Sequence, residues 1–112
     1  MERKRRLPPV IDRLPGNPIG LFQRGNDVLM DERDPPGGPA RVGEWVTLAV
    51  AIEKPDWSPY EYVGVEVTAV EGDRFRGTLR SEPFDPAVRD RLQKGAPFTF
   101  AMDHVFMVRP VE

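Results

Sequence analysis

From Val42 onward, apolar and polar positions alternate with a period of two. In "EWVTLAVAIE", Val46, Leu48, Val50 and Ile52 alternate with Trp45, Thr47, Ala49 and Ala51. That spacing predicts a strand. Both of its faces are rather apolar, so the strand should be central or covered on both sides. After the loop "KPDWSPY", the segment "EYVGVEVTAV" predicts a second strand. Val63, Val65, Val67 and Ala69 lie on one face, and Tyr62, Gly64, Glu66 and Thr68 on the other.

"EGDRFRGTL" then closes a hairpin, and two registers compete. A two-residue Gly72-Asp73 turn suits glycine's freedom at positive φ, but it sets Glu66 opposite Leu79. A three-residue Glu71-Gly72-Asp73 loop sets Val65 opposite Leu79, Val67 opposite Gly77 and Ala69 opposite Phe75. The second register buries one consistent apolar face, and a buried face usually decides register. It leaves Arg74, Arg76 and Arg80 outward with Glu66, Thr68 and Thr78.

"FDPAVRDRLQKG" predicts a short helix. Asp85 is a good N-cap, Pro86 fits the first helical position, Val88 and Leu92 share a face, and Gly95 can close the end. "PFTFAM" and "HVFMVR" follow as short strands separated near Asp103. In the second, either Val105 with Met107 or Phe106 with Val108 could face inward.

Residues 1–42 show no such period. Prolines at 8, 9, 15, 18, 35, 36 and 39 interrupt every run. Val10, Ile11, Leu14, Ile19, Leu21, Phe22, Val28, Leu29 and Met30 can each dock on a surface. The segment therefore reads as a proline-rich N-terminal arm that wraps the domain or a partner. "DVLMDE" is a candidate short strand and "DPPGGP" a loop. Residues 43–112 read as the compact β-rich domain.

Composition narrows the function. The chain has 112 residues, enough for one domain with a modest core. Proline, 13 of 112, is more than twice its roughly 5% average. With no cysteine, disulfides, thiolate metal sites and a thiol nucleophile are excluded. The single histidine, His104, excludes any intramolecular site needing two imidazoles. No stretch approaches the roughly 20 apolar residues of a membrane span. The basic "MERKRRLPPV" is not followed by an apolar run of signal-peptide length, so the chain reads as cytoplasmic.

Residues 44–108 resemble the bacterial DUF2314 family, a domain of unknown function. The resemblance is carried by "EWVTLAV", "EYVGVEVTAVEGDRFRGTL", "LQKGAPFTF" and "MDHVF". Trp45, Glu61, Val65, Val67, Gly72, Asp73, Gly77, Leu79, Leu92 and Gly95 occupy the pattern's positions. Gly64 and Phe106 stand where that pattern has tryptophans. The resemblance implies a compact β-rich domain with a short helix, and no activity.

Candidate chemistry is sparse. Ser58, Ser81 and His104 supply a hydroxyl and a base by count, but no nucleophile-elbow motif is present. Asp103 and His104 are adjacent, and in a strand they would face opposite ways, which does not make a chelate. Glu66, Glu71 and Asp73 are better explained by charge pairing with arginines than by acid–base work. Neither "GNPIG" nor "PPGGP" matches a phosphate-binding fingerprint.

Two binding surfaces remain. Arg3, Lys4, Arg5 and Arg6, with Arg74, Arg76 and Arg80, would make a nucleic-acid footprint. Against it, residues 41–112 carry nine Lys and Arg and twelve Asp and Glu, and the net charge is −2. The aromatics Trp57, Tyr60 and Tyr62 mark either a protein interface or the cap of a small barrel's open end.

The sequence therefore predicts an α+β, mostly β domain. It would be a small twisted antiparallel sheet or partly open barrel of about five strands, with one short helix. Its expected function is a non-catalytic protein-binding or accessory module, a class that includes immunity-type proteins. No cofactor or metal is called for. Trp57, Tyr60, Tyr62, Leu21 and Phe22 would be the contacts to a protein partner. A nucleic-acid accessory role is the alternative.

Overall fold

The computed structural model describes residues 11–13, 19–52 and 60–111. Strand β4 (Trp45–Ile52) is its spine. Val46, Leu48 and Val50 face the main core, while Ala49 and Ala51 join a smaller apolar cluster on the opposite face. The strand is covered on both sides, as its doubly apolar pattern predicts.

One edge of β4 pairs antiparallel with β5 (Glu61–Glu71). The other edge is shared by two strands. Trp45 to Leu48 pair with β8 (Val105–Arg109), and Val50 to Ile52 pair with β2 (Ile19–Phe22). The sheet runs from β5 through β6 (Arg74–Leu79) to β7 (Pro97–Phe100) on one side. On the other it forks, β2 continuing to β1 (Ile11–Arg13) and β8 to the parallel β3 (Met30–Asp31). The sheet stays open rather than closing into a barrel.

Among the described residues there are eight strands, against an expectation of about five. The extra three come from the segment read as an arm. They are two to four residues long, too short to display a period, and all four residues of β2 are buried, which erases alternation. Through β1, β2 and β3 that segment is part of the sheet.

The β5–β6 hairpin keeps the favoured register in its core half but not the three-residue loop, and Ala69 pairs with Arg76 rather than with Phe75. Glu71 pairs with Arg74 across a two-residue Gly72-Asp73 turn, with Gly72 at φ 65°. Yet Val65 faces Leu79 and Val67 faces Gly77, as the buried face demands. A bulge between Val67 and Ala69 absorbs the extra residue and reconciles the turn with the core.

Helix α1 (Pro86–Arg91) forms as its signals predict. The Asp85 side chain accepts a hydrogen bond from the Ala87 N–H at 3.0 Å, and Val88 and Leu92 enter the main core. Gly95, at φ 95°, serves the turn into β7, where its N–H donates to the Leu79 carbonyl at 2.8 Å. Phe75 and Phe100 stack at 5.5 Å inside the core.

Candidate functional site

The outer face of the sheet carries the most distinctive surface. Val63 points inward, so alternation sends its neighbour Tyr62 outward, opposite the small Ala49 of β4. Phe106 is the extra residue of a bulge in β8, between Val105 and Met107. Its ring lies 5.5 Å from Tyr62, edge to face. Tyr62 stands 5.9 Å from Tyr60, and Tyr60 lies 5.3 Å from Phe22. Four rings from β2, β5 and β8, with Tyr60 at the entrance to β5, make a continuous ladder over Ala49 and Ala51.

Beside this ladder runs a groove of about 430 Å³ lined by Asp27, Val28, Met30, Thr47, Tyr62, Phe106 and Met107. The groove crosses β3, β8, β4 and β5, so it lies on a sheet face rather than along a strand edge. Tyr62 is 55% exposed, Met30 54% and Val28 82%.

The loop bearing Asp27 and Val28 is pinned by Arg24. Its backbone N–H donates to the Asp103 carbonyl at 2.6 Å, its Nε to the Val105 carbonyl at 2.8 Å, and its Nη1 to the Asp27 carbonyl at 2.9 Å. Partial burial raises the Tyr62 hydroxyl pKa above that of a free phenol, and Tyr60 and the Asp27 carboxylate add to the shift. The site offers apolar contact, phenolic hydroxyls and one carboxylate. These can hold a ligand; they supply no activated nucleophile.

The predicted contacts fall into three groups. Tyr60 and Tyr62 are brought together in the ladder. Leu21 and Phe22, expected to meet a partner, are instead buried at 2% and 0% exposure, because β2 is a strand of the sheet and not a free arm. Trp57 lies outside the described residues, as do Arg3, Lys4, Arg5, Arg6 and Ser58. Val28 and Met30 were legible only as apolar residues of the candidate strand "DVLMDE", and Phe106 and Met107 only as alternating residues of the last strand, with its inward face left open between them.

The arginine face is largely paired. Arg80 Nε and Nη2 meet Glu66 Oε1 at 2.7 and 2.6 Å, and Arg76 Nε lies 3.4 Å from Glu71 Oε2. Arg74 is exposed at the hairpin turn.

The remaining candidates have structural roles. Ser81 Oγ accepts a hydrogen bond from the Gly64 N–H at 2.8 Å. His104 sits in a single 3-10 turn (Met102–His104), where Nδ1 accepts from the Ala101 N–H at 3.0 Å. That is the local hydrogen bond expected of a turn residue, but the side chain is buried rather than on the surface. Glu61 accepts from the backbone N–H groups of Phe84 and Asp85 at 2.7 and 3.0 Å, anchoring the loop before α1. Among the described residues no group of three or more His, Asp or Glu side chains is placed to hold a metal ion.

One cluster was not foreseen. The nearly buried Arg33 makes a bidentate pair with Asp31 at 2.7 and 2.8 Å and meets the buried Glu44 at 3.1 Å. It also donates to the carbonyls of Gly38 and Pro39 at 2.7 and 2.9 Å. Gly37 and Gly38, at φ 114° and 79°, let "DPPGGP" curl around the guanidinium, and the Gly37 N–H donates to Asp31 at 2.7 Å.

No model of a known protein family, no characterised protein and no solved structure matches this chain.

Proposed function

We propose that this protein is a non-catalytic protein-binding or accessory module that engages its partner with the outer face of its sheet. The observation that carries this reading is the aromatic ladder and its apolar groove, left open across four strands. Contiguous exposed apolar surface of this kind marks interaction sites. The placement of the carboxylates supports a non-catalytic role. Asp31 and Glu44 hold Arg33, Glu61 holds a loop, and Glu66 holds Arg80. A cytoplasmic setting and kinship with DUF2314 across residues 44–108 belong to the same proposal, the latter on its residue pattern. Among the described residues no helix is long and apolar enough to cross a membrane.

Nucleic-acid binding is the weaker reading, since Arg76 and Arg80 already face carboxylates at contact distance. The test is purification of the tagged full chain from its source lysate, with and without nuclease. A stoichiometric protein companion is expected that survives nuclease and is lost from a Val28→Asp, Met30→Asp double variant. Companions that vanish with nuclease, and persist with the double variant, would overturn the proposal.

A further inference from the structure

We propose that Met30 is a modification site on the outer face of the sheet, where peroxide converts its thioether to the sulfoxide and makes an apolar surface polar. As regulation of binding at that face, the inference rests on the protein-binding reading above.

Strand β3 holds this side chain out. The Glu32 N–H donates to the Val108 carbonyl at 2.9 Å, and the Asp31 carboxylate is locked to Arg33 at 2.7 Å, so the chain just after Met30 is fixed. On its other side, Leu29 packs against the main core. Alternation then turns Met30 the opposite way, and it stands 54% exposed in the groove.

The other described methionines are shielded. Met107 lies opposite Met30 on β8 and opposite Thr47 on β4, so strands flank it on both sides and it is half-buried. Met102 is half-buried against the main core. Met1 lies outside the described residues.

Peroxide reaches an exposed thioether directly. The sulfur lone pair attacks one peroxide oxygen, the S–O bond forms as the O–O bond breaks, and the departing hydroxide takes the proton of the transferred oxygen and leaves as water. Sulfur is oxidised and the peroxide reduced. The product replaces a weak acceptor by a strongly polar oxygen. Around it Val28, Phe106 and Met107 offer no side-chain donor. Any apolar surface that covered the thioether must then desolvate that oxygen without a hydrogen bond, which is unfavourable. Reductases reverse the step, so it can act as a switch.

The test treats the full chain with dilute hydrogen peroxide and maps the product by peptide mass spectrometry. Met30 is expected to gain oxygen several-fold faster than Met102 and Met107, since oxidation follows exposure. Retention of the intact protein on a phenyl column should fall as Met30 is oxidised. It should return after treatment with both methionine sulfoxide reductases, one for each epimer. Met30→Leu keeps an apolar side chain of similar size, and its retention should not respond to peroxide. Oxidation of Met102 or Met107 as fast as Met30, retention indifferent to Met30 oxidation, or a peroxide effect that persists in Met30→Leu would overturn the inference. So would a nuclease-resistant companion from the lysate that stays bound to the oxidised wild type. If no such companion exists, the protein-binding reading fails, while mass and retention decide this inference on their own.

Discussion

At the scale of single residues, two glycines of β5 and β6 behave oppositely. A Cβ on Gly77 would collide with the Val65 side chain, would lie 2.7 Å from the Glu66 carbonyl oxygen and 3.3 Å from the Phe100 ring. A backbone atom cannot step aside, so Gly77→Ala is expected to cost about 1–3 kcal/mol, read as a lower urea midpoint at constant slope. A Cβ on Gly64 would sit 3.5 Å from the Trp45 ring, an ordinary contact. Gly64→Ala should be neutral to stabilising by up to about 1 kcal/mol in the same titration. Arg33 is a third case. Replacing it by methionine removes the guanidinium 3.1 Å from Glu44, whose side chain is 5% exposed, and leaves that carboxylate only the Arg41 N–H at 2.8 Å and the exposed Arg41 guanidinium at 3.9 Å. A loss of about 3–5 kcal/mol is expected, far more than for Arg76→Met, whose pair is solvated.

At the scale of elements, local signals worked where they acted within one turn. The α1 cap and the alternation of β4 and β5 were legible because their causes lie within a few residues, whereas the three-residue loop favoured for the hairpin gave way to the two-residue Gly72-Asp73 turn. A six-residue helix is not stable alone, and α1 relies on Asp85, on Glu61 and on burying Val88. Asp85→Ala should therefore cost about 1 kcal/mol, and hydrogen exchange should show the α1 amides losing protection before those of β4 and β5. If α1 keeps its protection, the cap is not what holds it. The short strands β1 and β2 were invisible as elements, and β3 was legible only as a candidate strand within "DVLMDE", without its partner. Their hydrogen bonds go to β2, β4 and β8, and nothing within two to four residues announces those partners.

At the scale of the whole molecule, the ion cluster of Asp31, Arg33 and Glu44 ties β3 and the glycine loop to the start of β4. Hydrogen bonds from the Arg33 guanidinium and then from the Gly37 N–H hold the Asp31 carboxyl well below the usual carboxylate range. A carboxylate depressed in the folded state contributes stability that is present above its unfolded pKa, near 4, and lost as pH falls through the folded value. The stability gap between wild type and Asp31→Asn should be full at neutral pH and shrink steadily below about pH 4 in denaturant titrations. A gap unchanged down to acid pH would mean that Asp31 does not carry the effect. The candidate site belongs to this scale too. Tyr60 and Tyr62 were legible as a pair, but Phe106 reaches them through a bulge, and Val28 and Met30 arrive across β8.

By itself, the sequence determined a mostly β domain with one capped helix, a hairpin and a doubly apolar central strand. Alternation, capping and turn chemistry are local, and the local chain carries them. Only the tertiary structure decided that Leu21 and Phe22 lie inside, that β4 shares one edge between two strands, that "DPPGGP" encloses an arginine, and that four rings meet on one face. Each of these depends on residues far apart in the chain competing for the same neighbour, and a single sequence does not say which contact wins.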